Sequence, residues 1–288
     1  MKLDKFLKQA ASVLKRLDAL LPPEEGEPDW TALAYRWQSV GNRGVLAGLP
    51  HPHTFPLNRL AAVDGQMQRL VRNTEQFLEG RPANNVLMSG ARGTGKSSLV
   101  KALLHEYAER GLRLIEVDKS DLVSLPVLLP LLAKRPEKFI VFCDDLSFES
   151  GDDAYKALKT ALDGGLSLRC DNVLVYATSN RRHLMPEYMD ENLASTGARG
   201  EVQPKEAVEE KVSLSDRFGL WLSFYPFDQN DYLQAVQNWL ADFGLDYDDT
   251  ARQAALGWSL ARGSRSGRVA WQFACDWAGR TPEQRVVD

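Results

Sequence analysis

The stretch GARGTGKSS fits the pattern G-x-x-x-x-G-K-[ST], whose residue types suit the binding of a phosphate chain. Its glycines let the backbone curl, so that N–H groups and the N-terminus of a following helix point at phosphate oxygens. Lys96 then supplies a positive charge at the β- and γ-phosphates, and the Ser97 hydroxyl ligates Mg²⁺. The pattern predicts a nucleotide site formed by Gly90, Ala91, Arg92, Gly93, Thr94, Gly95, Lys96, Ser97 and Ser98.

Two adjacent carboxylates, Asp144 and Asp145, follow the apolar run FIVFC. Adjacent acids at the end of a buried strand are costly unless they bind something positive. Asp144 is placed to hold Mg²⁺, and Asp145 is placed to orient or deprotonate an attacking water. The alternative is that the pair caps the following turn, where Asp is common.

Three more polar residues stand at the ends of predicted elements and are candidates for contact with a nucleotide. Asn180 ends the run NVLVYATSN, where an amide can hold the nucleophilic water or contact the γ-phosphate, although Asn is also a routine turn residue. Arg217 can reach the γ-phosphate of a neighbouring subunit as an arginine finger, or it can pair with Asp216 or another surface acid. Arg268 opens the last helix and can reach the nucleotide from there, with Arg265 as the less favoured choice, or either can be an exposed residue at the start of the helix.

Alternating helices and short apolar strands must position these residues. A helix over Asp64–Leu78 precedes a strand that begins at about Val86, and a second helix ends at Gly111. The runs LRLIEVD, FIVFC, NVLVYATSN and GLWLSFYPF are apolar on successive residues, as parallel strands covered on both faces should be. We therefore expect an α/β fold with a doubly wound sheet of five parallel strands.

The composition of the chain divides it into three parts. Residues 1–56 are predicted to form an N-terminal helical extension and linker, with one amphipathic helix up to about Leu21 and a second over WTALAYRWQ. Residues 57–227 form the α/β domain, and residues 228–288 form a helical domain of three helices rich in tryptophan. The charged run from Asp190 to Lys211 has no apolar periodicity, and it is either a mobile loop or a segment that contacts a partner.

Overall composition limits the classes of function. The 288 residues carry a net charge of −4, so the sequence gives no support to direct nucleic-acid binding through a global basic field. The three cysteines, Cys143, Cys170 and Cys275, are far apart in the sequence and fit reduced thiols in the cytoplasm. No apolar run is long enough to cross a bilayer, so no membrane partner is expected.

Together the runs GARGTGKS, FCDD, TSN and SDRFG and the arginine near the start of the last helix resemble the AAA+ ATPases. The resemblance extends from about Leu57 to Arg280. More closely, the chain is similar to a bacterial family of single-module AAA+ proteins catalogued as a domain of unknown function. The runs NNVLMSGARGTGKSSLVKALL and EEKVSLSDRFGLWLSFYPF carry much of that similarity.

The resemblance implies ATP and Mg²⁺ as cofactors and a ring or spiral homo-oligomer with ATP at the subunit interfaces. It also implies strands in the order 5-1-4-3-2, a helical lid, Asn180 and Arg268 as sensors, and Arg217 as the finger. Two features depart from the family. Asp145 stands where Glu is more frequent, and residues 118–132 contain no aromatic-apolar-Gly loop of the kind that threads polypeptides.

Two functional hypotheses follow. The first is an ATPase that uses hydrolysis to remodel or load a macromolecular partner, with Asp145, Asn180 and Arg217 as its catalytic residues. The second is a nucleotide-dependent switch or helicase-loader-like adaptor with little turnover, which the shorter side chain of Asp145 favours. A small-molecule kinase has less support, because no acceptor-site pattern is evident.

Overall fold

The computed structural model describes residues 27–40, 43–149, 152–163, 170–181, 184 and 214–285. The helix predicted before Leu21 and the charged run from Asp190 to Lys211 lie outside these ranges. Within the described ranges, no helix is both long and apolar enough to cross a membrane.

One sheet collects all the strands in the described part of the chain. They are β1 (Ala34–Val40), β2 (Arg43–Leu49), β3 (Val86–Gly90), β4 (Leu112–Val117), β5 (Lys138–Cys143), β6 (Val173–Ser179) and β7 (Leu220–Phe224). Helices cover the sheet and follow it. They are α1 (Asp64–Leu78), α2 (Lys96–Tyr107), α3 (Leu125–Ala133), α4 (Asp153–Asp163), α5 (Gln229–Asp242), α6 (Asp249–Ala261), α7 (Gly267–Gly279) and α8 (Pro282–Arg285).

The sheet has seven strands in the order β2-β1-β4-β5-β6-β3-β7, so the predicted five-stranded sheet is wrong. The five predicted strands occupy neighbouring places in it, as β7-β3-β6-β5-β4, and all pair in parallel. Strand β1 adds to β4 in parallel, and β2 pairs with β1 as an antiparallel edge. The mixed character of the sheet therefore comes from the residues before the predicted α/β domain.

The prediction of a helix over WTALAYRWQ is wrong, because the second half of this run forms β1. Tyr35 and Trp37 are fully buried on one face of the sheet, whereas Ala34 packs into the cluster on the other face. This period-two alternation of aromatic residues is the signature of a strand. The Trp37 indole N–H also donates to Ser124 Oγ at 2.6 Å, which ties β1 to the segment before α3.

Each face of the sheet has its own apolar core, and the C-terminal helices form a third. One core contains the leucines of α3 and the buried face of α4, and the other contains the buried faces of α1 and α2. The C-terminal core, built by α5, α6 and α7, includes Tyr232, Phe273 and Trp277. The ring of Phe55 packs edge-on against Trp239 of this group, with ring centroids 6.4 Å apart. Arg59 Nε also forms an ion pair with Asp242 Oδ2 at 3.0 Å. These contacts connect the α/β domain to the helical group.

We expect Gly44→Ala to destabilise the fold, because an added Cβ would lie 1.8 Å from a ring carbon of the buried Trp37. Overpacking of this kind costs about 1–3 kcal/mol. The control is Gly257→Ala in α6, where an added Cβ meets nothing within 4 Å, and where the change should stabilise the helix by about 0.5–1 kcal/mol. Urea unfolding of both variants measures the free energy of unfolding, which should fall in Gly44→Ala and rise in Gly257→Ala. Equal effects would mean that Gly44 and Trp37 do not pack as described.

Candidate functional site

The predicted phosphate-binding loop connects the end of β3 to the start of α2. Gly90, Gly93 and Gly95 all have positive φ, at 136°, 75° and 96°. An added Cβ on Gly90 would lie 1.9 Å from the carbonyl oxygen of Phe224, the residue that faces it on β7. Only glycine has both the backbone freedom and the small size for so close an approach to the neighbouring strand. The loop therefore curls tightly against the end of the neighbouring strand.

Helix α2 begins without a side-chain cap, with Gly95 at the N-cap position. The first N–H groups of a helix have no partner inside it, and together with the helix dipole they attract an anion. The hydroxyl of Thr94, the residue before the cap, instead donates to the Ala91 carbonyl at 2.8 Å and closes the loop on itself. The loop and helix thus present backbone donors in the way that a phosphate group requires.

Lys96 is buried in the loop, with 6% of its surface exposed. Its ammonium donates to the carbonyls of Gly90 at 2.8 Å and Ala91 at 2.7 Å, and to Asn180 Oδ1 at 3.0 Å. Burial lowers the pKa of this ammonium, and the negative charges of Asp144 and Asp145 act in the opposite direction. All three acceptors are neutral, so none of them forms an ion pair with the lysine. An anionic phosphate would supply the missing charge.

Asp144 follows β5 and lies against the start of α2. The Ser97 hydroxyl donates to Asp144 Oδ1 at 2.6 Å, so the two predicted metal ligands are already together. A hydroxyl and a carboxylate are oxygen donors of the kind that Mg²⁺ accepts, and the ion takes its other ligands from phosphates and water. Across the described ranges, no cluster of three or more His, Cys, Asp or Glu side chains exists that would hold a metal without a nucleotide. The residues present fit a nucleotide-bound Mg²⁺.

Asp145 has a left-handed backbone, with φ of 51°, and its carboxylate turns toward Asn180. The Asn180 amide donates to Asp145 Oδ1 at 2.5 Å while its oxygen accepts from Lys96. Arg92 approaches the other carboxylate oxygen of Asp145 at 4.0 Å, in a pair that is largely exposed to solvent. Asn180 therefore joins the lysine of the loop to the second acid.

Helix α7 begins directly over the loop. The backbone N–H of Arg268 donates to the Gly93 carbonyl at 3.3 Å, and an added Cβ on Gly93 would lie 2.9 Å from Ser266 Oγ. The Ser266 hydroxyl caps α7 by accepting from the Val269 N–H. The positive charge of Arg268 contributes to the lowered pKa of Lys96, whereas that of Arg265 acts on Tyr232 within the helical group. Of the two predicted lid arginines, Arg268 is thus the one beside the loop.

Arg217 lies apart from the other predicted site residues. Its Nε donates to Asp163 at the end of α4 in a tight ion pair, so at least one of its partners is a surface acid other than Asp216. Leu220, three residues later, faces Val86 at the start of β3, while Phe224 faces Gly90 at its end. Four strand residues span about 13 Å, so Arg217 lies at the far end of the sheet from its own loop.

Sequence reasoning missed Thr178 and Ser266. Thr178 Oγ1 donates to Asp144 Oδ1 at 2.5 Å and accepts from the Asp145 N–H at 2.9 Å. The position of Thr178 at the end of a strand beside the acids was a usable signal, because neighbouring parallel strands end at the same edge. The contact of Ser266 with Gly93 brings together residues more than 170 positions apart, and no local pattern predicts it.

Comparison with solved structures places the fold among AAA+ proteins. The FIGL-1 AAA domain in complex with ADP matches 79% of this chain and 74% of its own, at 17% identity and a TM-score of 0.52. A RuvB variant of Thermotoga maritima matches 76% of this chain and 64% of its own, at 15% identity and a TM-score of 0.51. The chain thus spans less than two thirds of the RuvB chain, and identities this low show the fold alone.

Among curated proteins, no sequence matches this chain. A family model does match, over residues 30–281, and this range includes the loop, both acids, Asn180 and the lid helices. The range also includes β1 and β2, so the extra strands lie within the family's shared region. The chain is therefore a member of the family described as "Protein of unknown function (DUF815)" and has the fold of an AAA+ P-loop ATPase.

Proposed function

We propose that this protein binds ATP with Mg²⁺ and hydrolyses it at the interfaces of a homo-oligomer, in order to remodel or load a macromolecular partner. The observation that carries the proposal is the buried ammonium of Lys96, which only neutral acceptors hold in a loop rich in backbone donors. A buried cation of this kind is costly unless its site receives an anion. A nucleotide phosphate has the charge and the oxygen geometry to do so.

Magnesium would bind between the phosphates, the Ser97 hydroxyl and the Asp144 carboxylate. When bound, the ion would neutralise charge that develops on the phosphate oxygens during transfer. Ser97 donates to Asp144 Oδ1, while none of the described residues donates to Oδ2, so the Ser97 oxygen and Oδ2 are the atoms that would face the ion. Lys96 would keep its place beside the phosphates and compensate their remaining charge.

Hydrolysis requires a base that orients or deprotonates water, and Asp145 is the candidate. Its side chain is 58% exposed and lies beside Asn180, so one oxygen is held while the other remains accessible to water. Asn180 also contacts Lys96, which places the base and the phosphate-binding cation in one hydrogen-bonded unit. The unit would align a water for attack on the γ-phosphate.

The position of Arg217 supports action between subunits. Because Arg217 lies about 13 Å or more along the sheet from its own loop, any γ-phosphate it contacts would belong to a neighbouring subunit. Engagement would require Arg217 to exchange or share its bond with Asp163. An arginine finger of this kind stabilises the charge of the transition state. This placement favours a ring or spiral in which each site is completed by the next chain.

The second candidate is a nucleotide-dependent switch with little turnover. The observation that favours it is the close hydrogen bond from Asn180 to Asp145, which occupies one oxygen of the proposed base. The aspartate side chain is also one methylene shorter than the glutamate that AAA+ ATPases more often carry at this position. In this case binding and release of ATP would change partner contact without rapid hydrolysis.

The free cysteines of the described chain are compatible with a cytoplasmic setting for either function.

We expect two substitutions in the site to affect ATP binding and ATP hydrolysis separately. Lys96→Ala removes the cation beside the phosphates and should weaken Mg·ATP binding by about 10–100-fold. Asp145→Asn keeps the shape of the side chain, so it should bind ATP as the wild type does while hydrolysis falls by about 10²–10⁴-fold. Equilibrium binding of a fluorescent ATP analogue and single-turnover hydrolysis measure the two effects. Asp153→Asn, an exposed acid at the start of α4, is the matched control.

A wild-type affinity in Lys96→Ala would contradict the phosphate site. Full hydrolysis in Asp145→Asn would contradict the role of Asp145 as base, and a wild-type chain that binds ATP without measurable turnover would favour the switch.

We expect ATPase activity per subunit to rise with protein concentration, because Arg217 acts on a neighbour. Arg217→Ala should lower the rate by about 10³-fold at concentrations where the wild type is assembled, as removal of an arginine finger does, and should abolish the rise with concentration. The control is Arg36→Ala, which breaks a 2.9 Å ion pair between Arg36 on β1 and Glu116 on β4, and which should leave the rate unchanged. Steady-state assays combined with light scattering measure both properties. An activity that is flat with concentration and insensitive to Arg217→Ala would show that the arginine does not act between subunits.

A further inference from the structure

Thr178 is a buried hydroxyl that joins the two acids of the site. It is the sixth residue of β6 and 1% of its surface is exposed. Its hydroxyl donates to Asp144 Oδ1 at 2.5 Å and accepts from the backbone N–H of Asp145 at 2.9 Å. The Thr178 carbonyl also accepts from the Leu146 N–H at 2.7 Å, so this one residue contacts three consecutive residues after β5.

Hydrogen bonds converge on one oxygen of Asp144. Oδ1 accepts from Ser97 at 2.6 Å, from Thr178 at 2.5 Å and from the Asp145 N–H at 3.1 Å. Among the described residues, none donates to Oδ2. Three donors on Oδ1 fix the rotation of the carboxylate and leave Oδ2 as the face open to a cation or its water shell.

The left-handed backbone at Asp145 also depends on this hydroxyl. A residue other than glycine with φ near 51° is strained relative to its ordinary conformations, so surrounding contacts must hold it. The bond from the Asp145 N–H to Thr178 is one of those contacts. In an extended strand, adjacent side chains point to opposite faces, and a continued β5 would direct Asp144 and Asp145 away from each other. The turn is what allows Asp145 to reach Asn180 while Asp144 reaches Ser97.

We propose that Thr178 is a positioning residue for Mg·ATP: its hydroxyl sets the rotation of Asp144 for the metal and holds Asp145 in the turn that aims it at the water site. The inference rests on the proposed function. Thr178 acts through its bonds to the two acids. Loss of a group that orients a metal ligand usually costs about 10–100-fold in metal affinity or activity.

The test compares the Mg²⁺ dependence of nucleotide binding among three full-length variants. Thr178→Val removes the hydroxyl with little change of volume, and Thr178→Ser retains it. Ser179→Ala is the matched control, because Ser179 is equally buried and donates at 2.8 Å to Leu146, yet touches neither acid. For each variant, the affinity for a non-hydrolysable ATP analogue is measured with Mg²⁺ and with chelator. The rate of ATP hydrolysis is measured separately.

We expect the gain in affinity that Mg²⁺ provides to fall at least about tenfold in Thr178→Val, with a loss of about 10–100-fold in turnover. Thr178→Ser and Ser179→Ala should keep the wild-type gain, although Ser179→Ala loses a buried hydrogen bond as well. A wild-type gain in Thr178→Val, or an equal loss in Ser179→Ala, would overturn the inference. If Thr178→Val does not fold by circular dichroism, Thr178→Ala replaces it with the same expectations.

The wild-type chain is measured first, which separates the two claims. A wild type that binds no ATP overturns the proposed function itself. A wild type that binds Mg·ATP, together with a Thr178→Val variant that does so equally well, leaves the function standing and removes the role of Thr178.

Discussion

The site depends on one interaction, the contact of the buried Lys96 ammonium with two loop carbonyls and Asn180. These bonds hold the lysine inside a loop that glycines allow to curl, and they leave its charge without a direct anionic partner. The same amide that holds Lys96 also holds Asp145, so the proposed phosphate-binding lysine and the proposed base share a link. Removal of the lysine would break the link between the loop carbonyls and Asn180, while the contact of Ser97 with Asp144 would stay.

The surrounding fold serves this contact from three directions. Parallel pairing brings the ends of β3, β5 and β6 to one edge, where the loop, the acids and Asn180 meet. The close packing of Gly90 against the Phe224 carbonyl holds the loop to β7, and the backbone at the start of α7 bonds to Gly93. The helical group thus contacts the loop through its backbone, so a shift of this group would also shift the proposed phosphate site.

Much of this arrangement could be predicted from local patterns, because the loop, the acids and the strand ends have residue types that few other structures require. The strands β1 and β2 could not, since Tyr35 and Trp37 also suit a helix until their burial against Ser124 and the sheet is known. The end of a strand beside the acids marked Thr178 as a candidate, but its bonds to Asp144 and Asp145 are visible only once the two strands are placed side by side. The ion pair of Arg217 with Asp163 joins residues 54 positions apart, which spacing alone does not specify.

The central claim is that each ATP site combines Lys96 of one chain with Arg217 of the next. Mixing the two inactive variants, Lys96→Ala and Arg217→Ala, tests it most directly, since random assembly rebuilds an intact site at about a quarter of the interfaces. The account predicts that ATPase activity reappears on mixing, at about a quarter of the wild-type rate, while each variant alone stays inactive. A mixture that remains as inactive as its components, although light scattering shows that the two chains assemble together, would contradict the shared site.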